Sequence, residues 1–123
     1  MLIGVGCDVI EIARVRKAIE RDAFLQRVFA KEEIAYCMSR GAQAAASFAA
    51  RFAAKEAVLK ALGTGLRGGE LQEIVITNDA LGKPSVQLLG YHAELAQKLG
   101  VKNIALSMSH SRVAALAYVV MEG

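Results

Sequence analysis

Two carboxylates stand where a negative charge is costly unless something meets it. Asp8 interrupts an opening run, MLIGVGCDVIEI, whose other positions are almost all Leu, Ile, Val or Gly. A carboxylate in such a setting needs a cation or several donors, although Asp also suits a turn or helix cap at the end of a strand. Glu56 falls in RFAAKEAVLKALGTG, on the charged edge of what reads as a long helix, with Lys60 one turn beyond it and Arg51 and Lys55 before it. Locally, Glu56 and Lys60 form an i,i+4 pair worth a few tenths of a kcal/mol, and Arg51 and Lys55 could extend past a core to water. Three cations against one carboxylate nevertheless leave positive charge over, just before a Gly63-Thr64-Gly65 turn, and a phosphate-bearing ligand would answer it. Hard oxygen ligands without a His or thiolate beside them suit Mg²⁺, which takes one or two carboxylates and completes its shell with water and phosphate oxygens.

Other reactive residue types are less productive. Ser109-His110-Ser111 does not read as a nucleophile and its base, because adjacent strand residues point to opposite faces, no G-x-S-x-G elbow is present and no acid is placed to orient the imidazole. His92, His110, Cys7 and Cys37 lack any metal-ligand spacing, and two distant cysteines without a C-x-x-C pair read as reduced. Arg14, Lys17 and Arg21 recur at i, i+3 and i+7, a basic ridge that is either a solvated helix face or a match for an acidic partner helix. The net charge of +3 is too small to indicate nucleic acid, and with 3 Tyr, 4 Phe and no Trp the chain has few platforms on which bases could stack.

These residues need a scaffold. At 123 residues with 54% hydrophobic content the chain has the makings of one domain over 1–123 with a real core. No run reaches the eighteen or so apolar residues of a membrane span, and the opening run lacks a basic leader and a cleavage-type site, so the expectation is a soluble, cytoplasmic protein without a membrane partner. Leu2 to Ile12 reads as a strand buried on both faces, with Gly4 and Gly6 marking a close backbone approach or a simple bulge. Helices are expected over residues 13–20 and 30–39, with a short apolar helix or turn over 24–29. The long helix carries Phe48, Phe52, Leu59 and Leu62 on one stripe and stops at Gly63. Strands follow over 71–77 and 85–89, the second opened by Pro84, then a helix over 91–99 and two antiparallel strands over 104–110 and 113–121. The sum is an α+β fold, a small, mostly antiparallel sheet packed against a long central helix.

At these motifs the sequence resembles the holo-acyl-carrier-protein synthases of the phosphopantetheinyl transferase family over essentially its whole length. The likeness rests on IGVGCDVIEIARV, RFAAKEAVLKALGTG, GKP at 82–84 and LSMSHSRVAALAYVV, in that order. It implies the phosphopantetheinyl transferase fold and an enzyme of fatty acid biosynthesis that moves the 4'-phosphopantetheine arm of coenzyme A onto a serine of apo acyl carrier protein, releasing adenosine 3',5'-bisphosphate. By the same likeness Asp8 and Glu56 ligate Mg²⁺, and Lys60 and Arg51 neutralise phosphate oxygens. Gly63, Thr64 and Gly65 let backbone donors approach those oxygens, while Pro84, Ser109 and His110 line the nucleotide side. The chemistry of the transfer makes Glu56, directly or through a metal-bound water, the candidate to accept the serine proton, with a water or Asp8 as the alternative. Arg14, Lys17 and Arg21 dock the carrier, and the protein is a homotrimer with each site between two subunits. Ala50 stands where the family often has glycine, and the loop from Leu66 to Glu70 is less typical.

Overall fold

The structure, a computed structural model, describes residues 1–123. The chain runs β1 (Leu2–Glu11), α1 (Ile12–Ala18), α2 (Asp22–Val28), α3 (Lys31–Met38), a 3₁₀ turn (Gly41–Gln43) and α4 (Ala44–Leu62). A second 3₁₀ turn (Leu71–Glu73) then leads into β2 (Ile74–Asn78), β3 (Pro84–Leu88), α5 (Gly90–Leu99), β4 (Asn103–His110) and β5 (Ala114–Glu122). The strands form two antiparallel sheets, one ordered β1-β5-β4 and a two-stranded β2-β3 hairpin.

Helix α4 is the axis of the molecule. Fourteen of its 19 residues are buried, and eight of those are alanines. Small side chains let neighbouring backbones approach closely, so this helix is enclosed on most of its circumference and its apolar stripe is wider than Phe48, Phe52, Leu59 and Leu62 alone suggest. One core cluster joins its second half to the inner faces of β2 and β5, and another joins its first half to α1, α2 and α3. At the C-terminus Gly63 adopts φ 83° and its amide bonds to Leu59 and Lys60 carbonyls, the left-handed stop expected of a glycine there.

Strand β1 lies directly on this helix. A Cβ at Gly4 would sit 2.1 Å from the Ala61 carbonyl oxygen, and one at Gly6 2.0 Å from that of Ala57, so the close approach read at these glycines is to α4. Two strand residues advance about 6.7 Å and four helical residues about 6 Å, so the elements stay in step as one rises and the other descends. The next step along the strand, Asp8, therefore comes opposite the turn of α4 that carries Glu56.

The structure corrects several expectations. β1 is not buried on both faces, because β5 and α4 cover its edge and inner side while Val5, Cys7 and Val9 remain exposed. Leu71–Glu73 is a 3₁₀ turn and not the start of a strand. There the Lys55 ammonium takes the Leu71 carbonyl, and the Glu73 carboxylate accepts the Glu70 amide, so these backbone groups serve the turn and leave the ladder to begin at Ile74. No helix is long and apolar enough to cross a membrane.

Candidate active site

Asp8 and Lys60 meet where β1 crosses α4. Lys60 Nζ donates to Asp8 Oδ1 at 3.1 Å and to the Cys7 carbonyl at 2.9 Å, so the ammonium is held by one charge and one dipole of the strand. Its side chain is 57% exposed, which leaves the third N–H to solvent or a ligand and makes the pair worth little to stability by itself. Glu56 is half-buried on the same helix, and its carboxyl is pushed up, first by burial, then by the negative charge of Asp8, with Lys60 pulling the other way. One cation, paired to Asp8, thus lies in the field of two carboxylates. That deficit of positive charge, on oxygen donors alone, fits a divalent cation. No group of three or more His, Cys, Asp or Glu side chains gathers anywhere in the chain, so the protein supplies a partial shell and not a closed cage.

Lys55 plays no part in this cluster, which corrects the expectation that it adds to the positive charge left over on α4. Its side chain is fully buried and its Nζ donates to Glu33 Oε1 at 2.7 Å, to the Leu71 carbonyl at 3.0 Å and to the Ile74 carbonyl. Burial lowers the pKa of this ammonium and Glu33 opposes the shift; three acceptors for three N–H groups satisfy the charged form. Glu33 Oε2 also accepts the Ile76 amide, so the pair ties α3, α4 and β2 together. Glu33 was invisible as a partner because it lies 22 residues upstream, in a segment whose pattern is that of an ordinary surface helix.

Arg51 opens onto a second region, a cavity of about 260 Å³ lined also by Tyr36, Asn78, Pro84, Ser109 and His110. The guanidinium carbon lies 4.4 Å from the Tyr36 ring centroid and Nη2 donates to Asn78 Oδ1, while Nε has no partner in the protein. Pro84, Ser109 and His110, named from the sequence, therefore do share a pocket with Arg51. Tyr36 and Asn78 were missed: no spacing singles out Tyr36, and Asn78 falls just outside the strand expected over 71–77. His110 makes no bond to a serine hydroxyl; its Nδ1 lies 3.3 Å from the Ser111 carbonyl.

The Gly63-Thr64-Gly65 turn departs in part from expectation. Gly63's amide closes α4 and is not available to a ligand, and Thr64 Oγ1 is turned to the Gly65 carbonyl at 3.2 Å. The ridge residues Arg14, Lys17 and Arg21 do come together, on the rim of a groove of about 720 Å³ floored by Ile10, Phe24 and Phe52.

A partial carboxylate shell, an adjacent ammonium with one N–H left over and an arginine-bearing pocket, set along one helix of an α+β fold, suit a phosphorylated ligand. The chain belongs to the 4'-phosphopantetheinyl transferase superfamily, whose sequence pattern matches residues 4–117. It is 43% identical over 123 residues to a holo-acyl-carrier-protein synthase of Treponema denticola, covering 100% of both chains. Among solved structures it is similar to the crystal structure of holo-acyl-carrier-protein synthase from Neisseria meningitidis, with a TM-score of 0.91, 35% identity and 100% of both chains covered. It is also similar to the Helicobacter pylori synthase in complex with coenzyme A, with a TM-score of 0.82 and 30% identity, covering 96% of this chain and 99% of that one.

Proposed function

We propose that this protein transfers the 4'-phosphopantetheine arm of coenzyme A to a serine hydroxyl of an apo acyl carrier protein, releasing adenosine 3',5'-bisphosphate. The observation that carries the reading is the meeting of Asp8, Glu56 and Lys60 where β1 crosses α4, in a chain whose full-length relatives are holo-acyl-carrier-protein synthases.

The reaction forms a bond from the serine oxygen to the β-phosphorus and breaks the bond from that phosphorus to the oxygen bridging it to the α-phosphate. Adenosine bisphosphate leaves with that oxygen, and the serine proton must go to a base. Catalysis of such a step is chiefly positioning and neutralisation of charge. Asp8 and Glu56 are suited to hold Mg²⁺, which when bound would draw charge from the pyrophosphate oxygens. Lys60, fixed by Asp8 and the Cys7 carbonyl, presents its remaining N–H to the same oxygens. Glu56, whose carboxyl is already raised, is the candidate proton acceptor, with Asp8 or a water as the alternative. Arg51, with Pro84, Ser109 and His110 around it, receives the nucleotide end, and its charge, which no carboxylate cancels, is there to attract a phosphate. Thr64 and Gly65 border the pyrophosphate beyond the end of α4. The groove rimmed by Arg14, Lys17 and Arg21 fits an acidic amphipathic helix of the carrier, with Phe24 and Phe52 under its apolar side.

The reading includes a homotrimer of this one-domain chain. Support comes from the uncovered outer face of the larger sheet, where Val9 and Leu116, Cys7 and Tyr118, and Val5 and Val120 are cross-strand neighbours.

Incubation of the pure protein with coenzyme A, Mg²⁺ and apo carrier tests the function. The carrier should gain the mass of one phosphopantetheine at a single serine, and the gain should vanish when the metal is chelated. An unchanged carrier mass, with coenzyme A bound tightly, would make the protein a binding module and end the proposal.

A further inference from the structure

Arg51 is 3% exposed, yet no carboxylate lies within ion-pairing distance of it. A buried guanidinium without a counter-ion is costly, and here only neutral groups hold it. The Tyr36 ring lies 4.4 Å from its carbon, and Asn78 Oδ1 accepts from Nη2, so its orientation is set from a face and an edge while its charge is left uncancelled. The other half of the Asn78 amide donates from Nδ2 to the Gly82 carbonyl at 2.9 Å, which anchors the turn leading to Pro84 on the same cavity. An acidic residue does stand next in sequence, but Asp79 is turned into that turn, where its Oδ1 accepts the amides of Leu81 and Lys83, both at 2.9 Å. The one carboxylate within reach by chain connectivity is thereby kept off the arginine.

We propose that Asn78 is a positioning residue for coenzyme binding. It fixes the Arg51 guanidinium towards the cavity, sets the Gly82–Pro84 wall to the same point, and does both without neutralising the charge that a coenzyme phosphate needs. Tyr36 is the second clamp. This assignment rests on the transferase reading above and adds to it the pair of residues that hold the arginine ready.

A double-variant cycle in the transfer assay tests it, using the full chain with coenzyme A, Mg²⁺ and apo carrier. Asn78→Ala should raise KM for coenzyme A about tenfold, the usual cost of losing a buried hydrogen bond to a charged group, with kcat within about threefold and KM for the carrier unchanged. Asn78→Asp keeps the side chain's size and its acceptor but places a negative charge on Arg51, so its KM should rise at least as far. In an Arg51→Ala background the Asn78→Ala change should add less than about threefold, because most of its effect passes through the arginine and only the Gly82–Pro84 wall remains to be lost. Tyr36→Leu repeats the cycle from the other clamp, and is decisive where Asn78→Ala does not fold. Wild-type KM in both Asn78→Ala and Asn78→Asp, or full multiplication of the Asn78 and Arg51 effects, would overturn the assignment while leaving the transferase reading intact. A wild-type protein that neither binds coenzyme A nor transfers its arm would overturn both.

Discussion

Glu56 combines two properties that ordinary surface carboxylates do not. Burial and the charge of Asp8 both raise its pKa, so the ionised form that a metal or a proton needs is the form the fold disfavours. Glu56→Gln removes that strain together with the function. Transfer activity is expected to fall about a hundredfold or more, the range for loss of a positioned acid–base group, while the melting temperature at pH 7.5 stays level or rises. Near-normal turnover of the variant at saturating Mg²⁺ would take Glu56 out of the chemistry, and a lower melting temperature would contradict the electrostatic account. Asp8, Glu56 and Lys60 were legible in the sequence because each violates the pattern around it or continues a helical spacing. Asn78 and Tyr36 were not, since they are neutral, common types in unremarkable places, and only the packing of β2 and α3 against α4 brings them to Arg51.

The elements show where one-dimensional patterns succeed. Helix α4, its glycine stop, α5 and the β4–β5 hairpin all followed from periodicity and turn chemistry, and the two glycines of β1 announced a close neighbour. What the pattern could not supply was the segment from Leu66 to Glu73, whose conformation is fixed by distant partners: Glu73 faces Gly69, Gly90 and His92 from α5, and Gln72 reaches back to the Gln26 carbonyl. His92 is fully buried there, neither ring nitrogen has a hydrogen-bond partner, and Glu73 Oε1 lies 3.9 Å away. Burial lowers the imidazole's pKa, and Glu73 and the Glu70 backbone only partly oppose it. The unfolded chain, with an ordinary pKa of about 6.5, therefore binds a proton before the folded one does. The sign follows from linkage: the contribution is fully present above that value and is lost as pH falls through the depressed folded pKa. Urea midpoints should accordingly fall between about pH 7 and pH 5, and His92→Phe, which keeps the ring but not the titration, should flatten that fall. Equal slopes for the two proteins would show that other groups set the acid limit.

At the scale of the whole molecule, the misreading of β1 is instructive. An almost unbroken apolar run predicts burial on both faces, yet within one chain only the inner face is covered, by α4. The outer face keeps Val5, Val9, Leu116 and Tyr118 exposed at 49%, 64%, 46% and 49%, and the register makes them one continuous patch across β1 and β5. Composition thus anticipates an environment that a single copy does not supply, and other copies of the same sheet would supply it, as the proposed homotrimer requires. A stable interface removes about 800 Å² from each partner, and a charge at its centre, cut off from water and unpaired, is poorly tolerated. Leu116→Asp should therefore shift the protein from a trimeric to a monomeric mass in sedimentation. Transfer activity should fall with it if each site draws on two subunits, while the melting curve of the monomer stays cooperative because α4 and its two core clusters lie on the other side of the sheet. A wild-type protein that sediments as a monomer at assay concentration and is fully active would separate catalysis from assembly, and the exposed sheet face would then need another occupant.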